Sequence, residues 1–77
     1  MELNRYSVKV LGEFSGNRFH TDVDAQDEIE AIYVAIEQGQ KHNLFAIGEK
    51  FLSAWIDEQE WTKIHGRWIS RAALAYI

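Results

Sequence analysis

Apolar and polar residues alternate from Arg5 to Leu11, with Tyr6, Val8 and Val10 on one side and Ser7 and Lys9 on the other. This is the two-residue period of a half-buried strand. Phe19, Thr21 and Val23 alternate with His20, Asp22 and Asp24 in the same manner. Between them lies Gly12-Glu13-Phe14-Ser15-Gly16-Asn17, whose Gly and Asn accept the positive φ that a hairpin connection needs. The chain is therefore expected to open on a β-hairpin.

From Ala25 the period lengthens: Ala25, Ile29, Ile32 and Ile36 fall at i, i+4, i+7 and i+11, one stripe of a 3.6-residue helix. The spacing predicts a helix over 25–38, with Asp24 as N-cap, Asp27 and Glu28 favoured by the positive end of the helix dipole, and Gly39 as left-handed C-cap. Gln26, Glu30, Tyr33 and Glu37 form a second stripe away from the Ile stripe.

The second half carries two periods at once. Leu44, Ile47, Phe51 and Trp55 are spaced like a helix face, while Phe51, Ser53 and Trp55 alternate with Leu52, Ala54 and Ile56 like a strand. Gly48 weakens the helical alternative, and a strand over 50–56 is preferred. Asp57-Glu58-Gln59-Glu60 reads as a polar turn, and Trp61 to Ile64 as a strand closed by His65-Gly66 onto Arg67 to Ile69. Ser70 either bulges that strand or caps a helical turn. A terminal strand is preferred, because Leu74 and Tyr76 alternate with Ala73, Ala75 and Ile77.

These elements predict an α+β fold: an antiparallel sheet of a β-hairpin and a second hairpin or meander, with one main helix packed on one face. Seventy-seven residues make one domain, residues 1–77, because two cores would each fall below the size at which burial offsets chain entropy. Cysteine is absent, so disulfides, thiolate metal sites and thiol catalysis are excluded, and a cytoplasmic setting is expected. The opening Met1-Glu2-Leu3-Asn4-Arg5 lacks the features of a signal peptide, and no apolar run approaches the ~20 residues of a membrane span. No membrane partner and no cofactor are expected.

Charge sharpens the picture. The formal net charge is −4. Residues 1–40 carry eight acids against three bases, and residues 41–77 four acids against five bases. Between Phe19 and Gln40 stand Asp22, Asp24, Asp27, Glu28, Glu30 and Glu37 with no Lys or Arg. Helix capping accounts for Asp24, Asp27 and Glu28, but not for Asp22, Glu30 and Glu37, which have no basic residue in that stretch to balance them. A one-signed surface of this kind suits a basic protein partner and repels nucleic acid. Asp22, Asp27, Glu30 and Glu37 are the candidate contact residues.

Trp55, Trp61 and Trp68 lie close together in sequence. Most such rings form core in a small domain, but strand alternation places Trp61 and Trp68 on one face, opposite Ile64 and Ile69. An open aromatic pair beside Lys63, Arg67 and Arg71 would make a second candidate patch, with Trp61, Arg67 and Trp68 at its centre. It would suit a homodimer or, less well given the acidity, single-stranded bases. His20, Asp22 and Asp24 line one strand face, yet match no established metal spacing, so no metal site is assigned. No catalytic motif is present, and His20, His42 and His65 are scattered. No enzymatic activity is expected.

The order of an opening hairpin, a helix ending in Ile-Glu-Gln-Gly (36–39) and a second hairpin containing Phe-Leu-Ser-Ala-Trp-Ile (51–56) resembles small phage or mobile-element proteins, including anti-CRISPR-type inhibitors. The resemblance lies in layout, size and acidity, and implies a stoichiometric blocker acting in a host cytoplasm. The expectation is a non-enzymatic protein-binding module whose acidic face docks on a basic surface. The alternative is an oligomeric subunit that associates through the aromatic hairpin around Trp61 and Trp68.

Overall fold

Two tight turns organise the second half of the chain. Asp57 and Glu58 adopt φ values of 48° and 71°, and His65 and Gly66 adopt 51° and 78°. Paired positive φ values match the right-handed twist of flanking strands, so each turn returns the chain as a two-residue hairpin. In the computed structural model, which describes residues 2–74, the strands are β1 (Asn4–Gly12), β2 (Arg18–Ala25), β3 (Phe51–Ile56), β4 (Gln59–Ile64) and β5 (Arg67–Ser70). They form one antiparallel sheet in the order β2-β1-β3-β4-β5. The fold is α+β, as the sequence pattern predicts: the helix α1 (Glu28–Lys41) packs against this sheet, and a short helical turn, α2 (Arg71–Leu74), follows β5. The polar turn is shorter than expected, because Gln59 and Glu60 already belong to β4.

The helix begins later than its apolar stripe suggests. Ala25 pairs with Asn4, so β2 continues through the position assigned to the cap. Asp24 therefore lies in β2, where it meets Arg5 at 3.2 Å. Asp27 is the N-cap instead, its carboxylate accepting a hydrogen bond from the Glu30 N–H at 2.8 Å. At the other end Gly39 does not cap the helix. It is buried within α1 against the Phe45 ring, and the left-handed residue is Asn43, with φ 55°. Asn tolerates that conformation better than most side chains.

The buried stripe is rotated from the predicted one. Ala31, Ile32, Ala35 and Gly39 face the sheet, whereas Ile29 is 43% exposed. Small residues let the helix backbone lie close to the strands, and the larger Ile29 and Ile36 fall to the flank. Against this stripe stand Val8, Val10, Val23, Ala25, Ala54 and Ile56 from the sheet. Helix α1 sits over β2 and β1 and only brushes β3.

Two further departures have local causes. Leu11 pairs with Ser53 and Gly12 with Phe51, which leaves Leu52 as an extra residue in β3. Such a bulge breaks the alternation, so Phe51 is buried and Leu52 exposed on a strand whose inward residues are otherwise Ala54 and Ile56. The predicted terminal strand ends at Ser70, whose hydroxyl accepts from the Ala73 N–H at 3.2 Å and starts α2. The remainder of that predicted strand, residues 75–77, lies outside the described residues.

Candidate functional site

The acids of the β2–α1 stretch occupy one margin of the molecule, because β2 is an edge strand and α1 packs over it. Their partners differ. Asp24 is paired with Arg5, and Glu37 with Lys41 at 3.3 Å, one helical turn on. Lys41 lies just beyond the base-free segment, so the expectation that Glu37 lacks a compensating base is overturned. Both pairs are exposed and worth little, ~0–1 kcal/mol. Asp27 is occupied in capping, and the Glu28 carboxylate accepts from the Tyr6 hydroxyl at 3.3 Å.

Asp22 and Glu30 are the acids left over. Asp22 is exposed on β2 opposite Ser7, on the sheet face away from α1. Glu30 lies on the outer side of α1, in one ridge with Glu37, since seven residues are about two turns. The acids thus straddle the β2 margin rather than tile one flat face.

The aromatic patch is corrected. Trp61 and Trp68 do share a face, but it is the face that carries the helix: Trp61 pairs with Ser70 and with the buried Ala54, and Lys63 with Trp68. Trp68 is 4% exposed and part of the core, and Trp61 packs against that core half-buried. The open pair that the alternative reading needed does not exist. Arg67 is exposed at the start of β5. Trp68 is unusual in one respect: its indole N–H is buried without an acceptor among the described residues.

On the opposite, uncovered face of the sheet, the Ser7 hydroxyl and His20 Nε2 are 2.7 Å apart. The Lys9 ammonium lies 5.0 Å from the Trp55 ring centre, within cation–π range. With Glu58 they line a shallow concavity of about 270 Å³. Asp57 fixes its rim, accepting from the Ser7 N–H at 3.1 Å while its own N–H donates to the Ser7 carbonyl at 2.8 Å. A serine nucleophile needs an oriented base and an anion hole, and among the described residues the contact shown here is that of the serine with the imidazole. His20 and Asp24, two of the three residues of the His20-Asp22-Asp24 row, are thus engaged by Ser7 and Arg5. Among the described residues no three His, Asp or Glu side chains are grouped to hold a metal ion.

One anchor has no signal in the sequence. Glu49, in the loop before β3, accepts from the backbone N–H groups of Phe14 at 2.6 Å, Ser15 at 3.2 Å and Ala46 at 3.2 Å. Burial pushes its carboxyl up, but the Ser15 hydroxyl and these N–H groups together hold it below its ordinary value. Asn17 also donates to the Leu44 carbonyl. These contacts tie the β1–β2 loop to the α1–β3 loop.

The fold and surface define a class: a small α+β protein with a half-covered antiparallel sheet and charged margins. No family model matches the chain, and no curated protein or solved structure matches it either. Among the described residues no helix is long and apolar enough to cross a membrane.

Proposed function

We propose that the protein is a non-catalytic binding module that engages a basic protein surface with the acidic margin formed by β2 and α1. The observation that supports this reading is the placement of Asp22 and Glu30. Neither caps a helix nor joins an ion pair among the described residues, and both lie at the margin where the base-free segment runs through adjoining elements. Such a margin speeds encounter with a positively charged partner and makes it sensitive to salt. A stoichiometric blocker of a host complex is the form of this reading that the resemblance to small phage inhibitors implies.

Because Asp27 caps α1, reversing its charge would disturb the fold. The informative variant is Asp22→Lys with Glu30→Lys. Immobilised wild-type protein is expected to retain a basic protein from a cell lysate at low salt and release it at high salt, while the double variant, with unchanged circular dichroism, retains none. Equal capture by both would remove the acidic margin from the mechanism.

A further inference from the structure

Strand β2 stands at one edge of the sheet, and which of its backbone groups face outward follows from the contacts of β1. Ser7 turns its backbone toward β3, accepting from the Asp57 N–H at 2.8 Å and donating to the Asp57 carboxylate at 3.1 Å. Asp22 stands directly opposite Ser7, so its own N–H and C=O point the other way, to the free edge. The Gly12 N–H donates to the Asn17 carbonyl at 2.9 Å, which sets the same alternation from the hairpin end. Arg18, His20, Asp22 and Asp24 therefore present their N–H and C=O groups along the margin. Proteins usually blunt such an edge with proline, a bulge or a short strand. Strand β2 has eight residues, no proline and an unbroken register with β1. The opposite edge, β5, has four residues and passes directly into α2.

We propose that the occupant of this edge is β2 of a second copy, antiparallel to the first, so that two sheets join into one across a two-fold axis. A two-fold seam has to be self-complementary, and the edge-facing residues are. With the axis at Thr21, Arg18 lies opposite Asp24 of the second copy and His20 opposite Asp22, and symmetry repeats both pairs. Opposite charges directly across a strand pair stabilise it, and like charges destabilise it. The Asp24 carboxylate meets Arg5 at 3.2 Å and gains Arg18 of the second copy, an arginine in no ion pair among the described residues. The His20 ring, held through Nε2 by the Ser7 hydroxyl, has a second nitrogen to turn toward Asp22. Shifting the axis to Asp22 would instead set that acid against its own copy, so charge selects one register. On the helix side Phe19 faces Val23 of the second copy, an aromatic against a β-branched residue.

The helices agree with this seam. Since α1 lies over β2 and β1, its axis stands about half a strand spacing inside β2. Two such offsets plus one spacing of about 4.8 Å put the two helix axes about 10 Å apart, at the upper end of the usual packing distance of about 8–10 Å. Gln38 accepts from the Thr21 hydroxyl at 3.2 Å and so stands beside the axis, where its amide, which both donates and accepts, meets its own copy. Val34 lies one turn away on the same flank and is half-buried.

The inference goes beyond the acidic-margin reading and engages Asp22 of that margin, so a basic protein held through Asp22 binds the monomer. Sedimentation velocity of the purified chain should show a particle of twice the 9.0 kDa monomer mass, dissociating on dilution. Protection of the His20 and Asp22 amides from exchange should rise with protein concentration. Arg18→Glu and, separately, Asp24→Lys are each expected to weaken the dimer at least about tenfold, since symmetry places the like-charge pair twice in the seam. Mixing the two variants should restore it, because the reversed charges then face each other. Both sites are exposed, and circular dichroism checks that each variant folds. A monomer at every concentration, edge amides whose protection ignores concentration, a dimer indifferent to Arg18→Glu, or a mixture no tighter than the single variants would overturn the proposal. Arg18 is not among the contacts assigned to a basic partner, so Arg18→Glu should still capture one. Capture by a wild-type chain that never dimerises overturns this inference alone, and a dimer without capture overturns the earlier reading alone.

Discussion

Asp24 and Asp27 are three residues apart and look equally suited to start a helix, yet only Asp27 bonds a free helical N–H. The consequence is measurable. Asp27→Ala should cost about 1 kcal/mol in urea unfolding, whereas Asp24→Ala, which removes an exposed ion pair with Arg5, should cost less than about half of that. The sequence could not distinguish them, because the choice depends on Asn4 pairing with Ala25 and holding the strand one residue past Asp24. Glu49 is a second case. Its folded carboxyl is held below the ordinary 4.5, so its contribution is present above that value and is lost as pH falls through the lower folded one. Protection of the Phe14 and Ser15 amides, taken relative to their intrinsic exchange rates, should therefore fall on acidification below 4.5, and Glu49→Gln should remove that pH dependence.

At the scale of elements, α1 shows how packing overrides a stripe of large apolar residues. The Ile pattern gives the helix and its approximate extent, but small residues decide which side touches the sheet. Gly39 is the sharpest example. Alanine would raise helix propensity by about 1 kcal/mol, but its Cβ would collide with the Phe45 ring. That ring stands edge-on to Phe51 with centroids 4.8 Å apart and cannot swing away without opening the core. Overpacking of this kind costs about 1–3 kcal/mol. Gly39→Ala should thus be net destabilising by up to about 2 kcal/mol, measured by thermal or urea unfolding. Likewise, the bulge at Leu52 buries Phe51, which strict alternation assigns to the face of Trp55.

For the whole molecule, the chain's two differently charged halves become two ends of one sheet, with β2 and β5 as opposite edges. This separation underlies the proposed function. Capture of a partner through Asp22 and Glu30 should fall steeply with ionic strength, since exposed charges are screened over about 8–10 Å near physiological salt. Measuring that capture between about 50 and 500 mM salt tests the dependence.

While the start of β4 and the helical turn after Ser70 were misread, the sequence by itself determined the opening hairpin, the helix, the strand over 50–56, the His65-Gly66 turn and the concentration of acids in residues 19–40. These follow from local periodicity, turn chemistry and composition, which act between near neighbours. Tertiary structure decided which acids remain unpaired, which side of α1 is buried, and that Trp68 is core rather than surface. Each of these depends on residues distant in sequence. Lys63 and Trp68 are brought together by hairpin register, and Phe14 and Glu49 by loop packing.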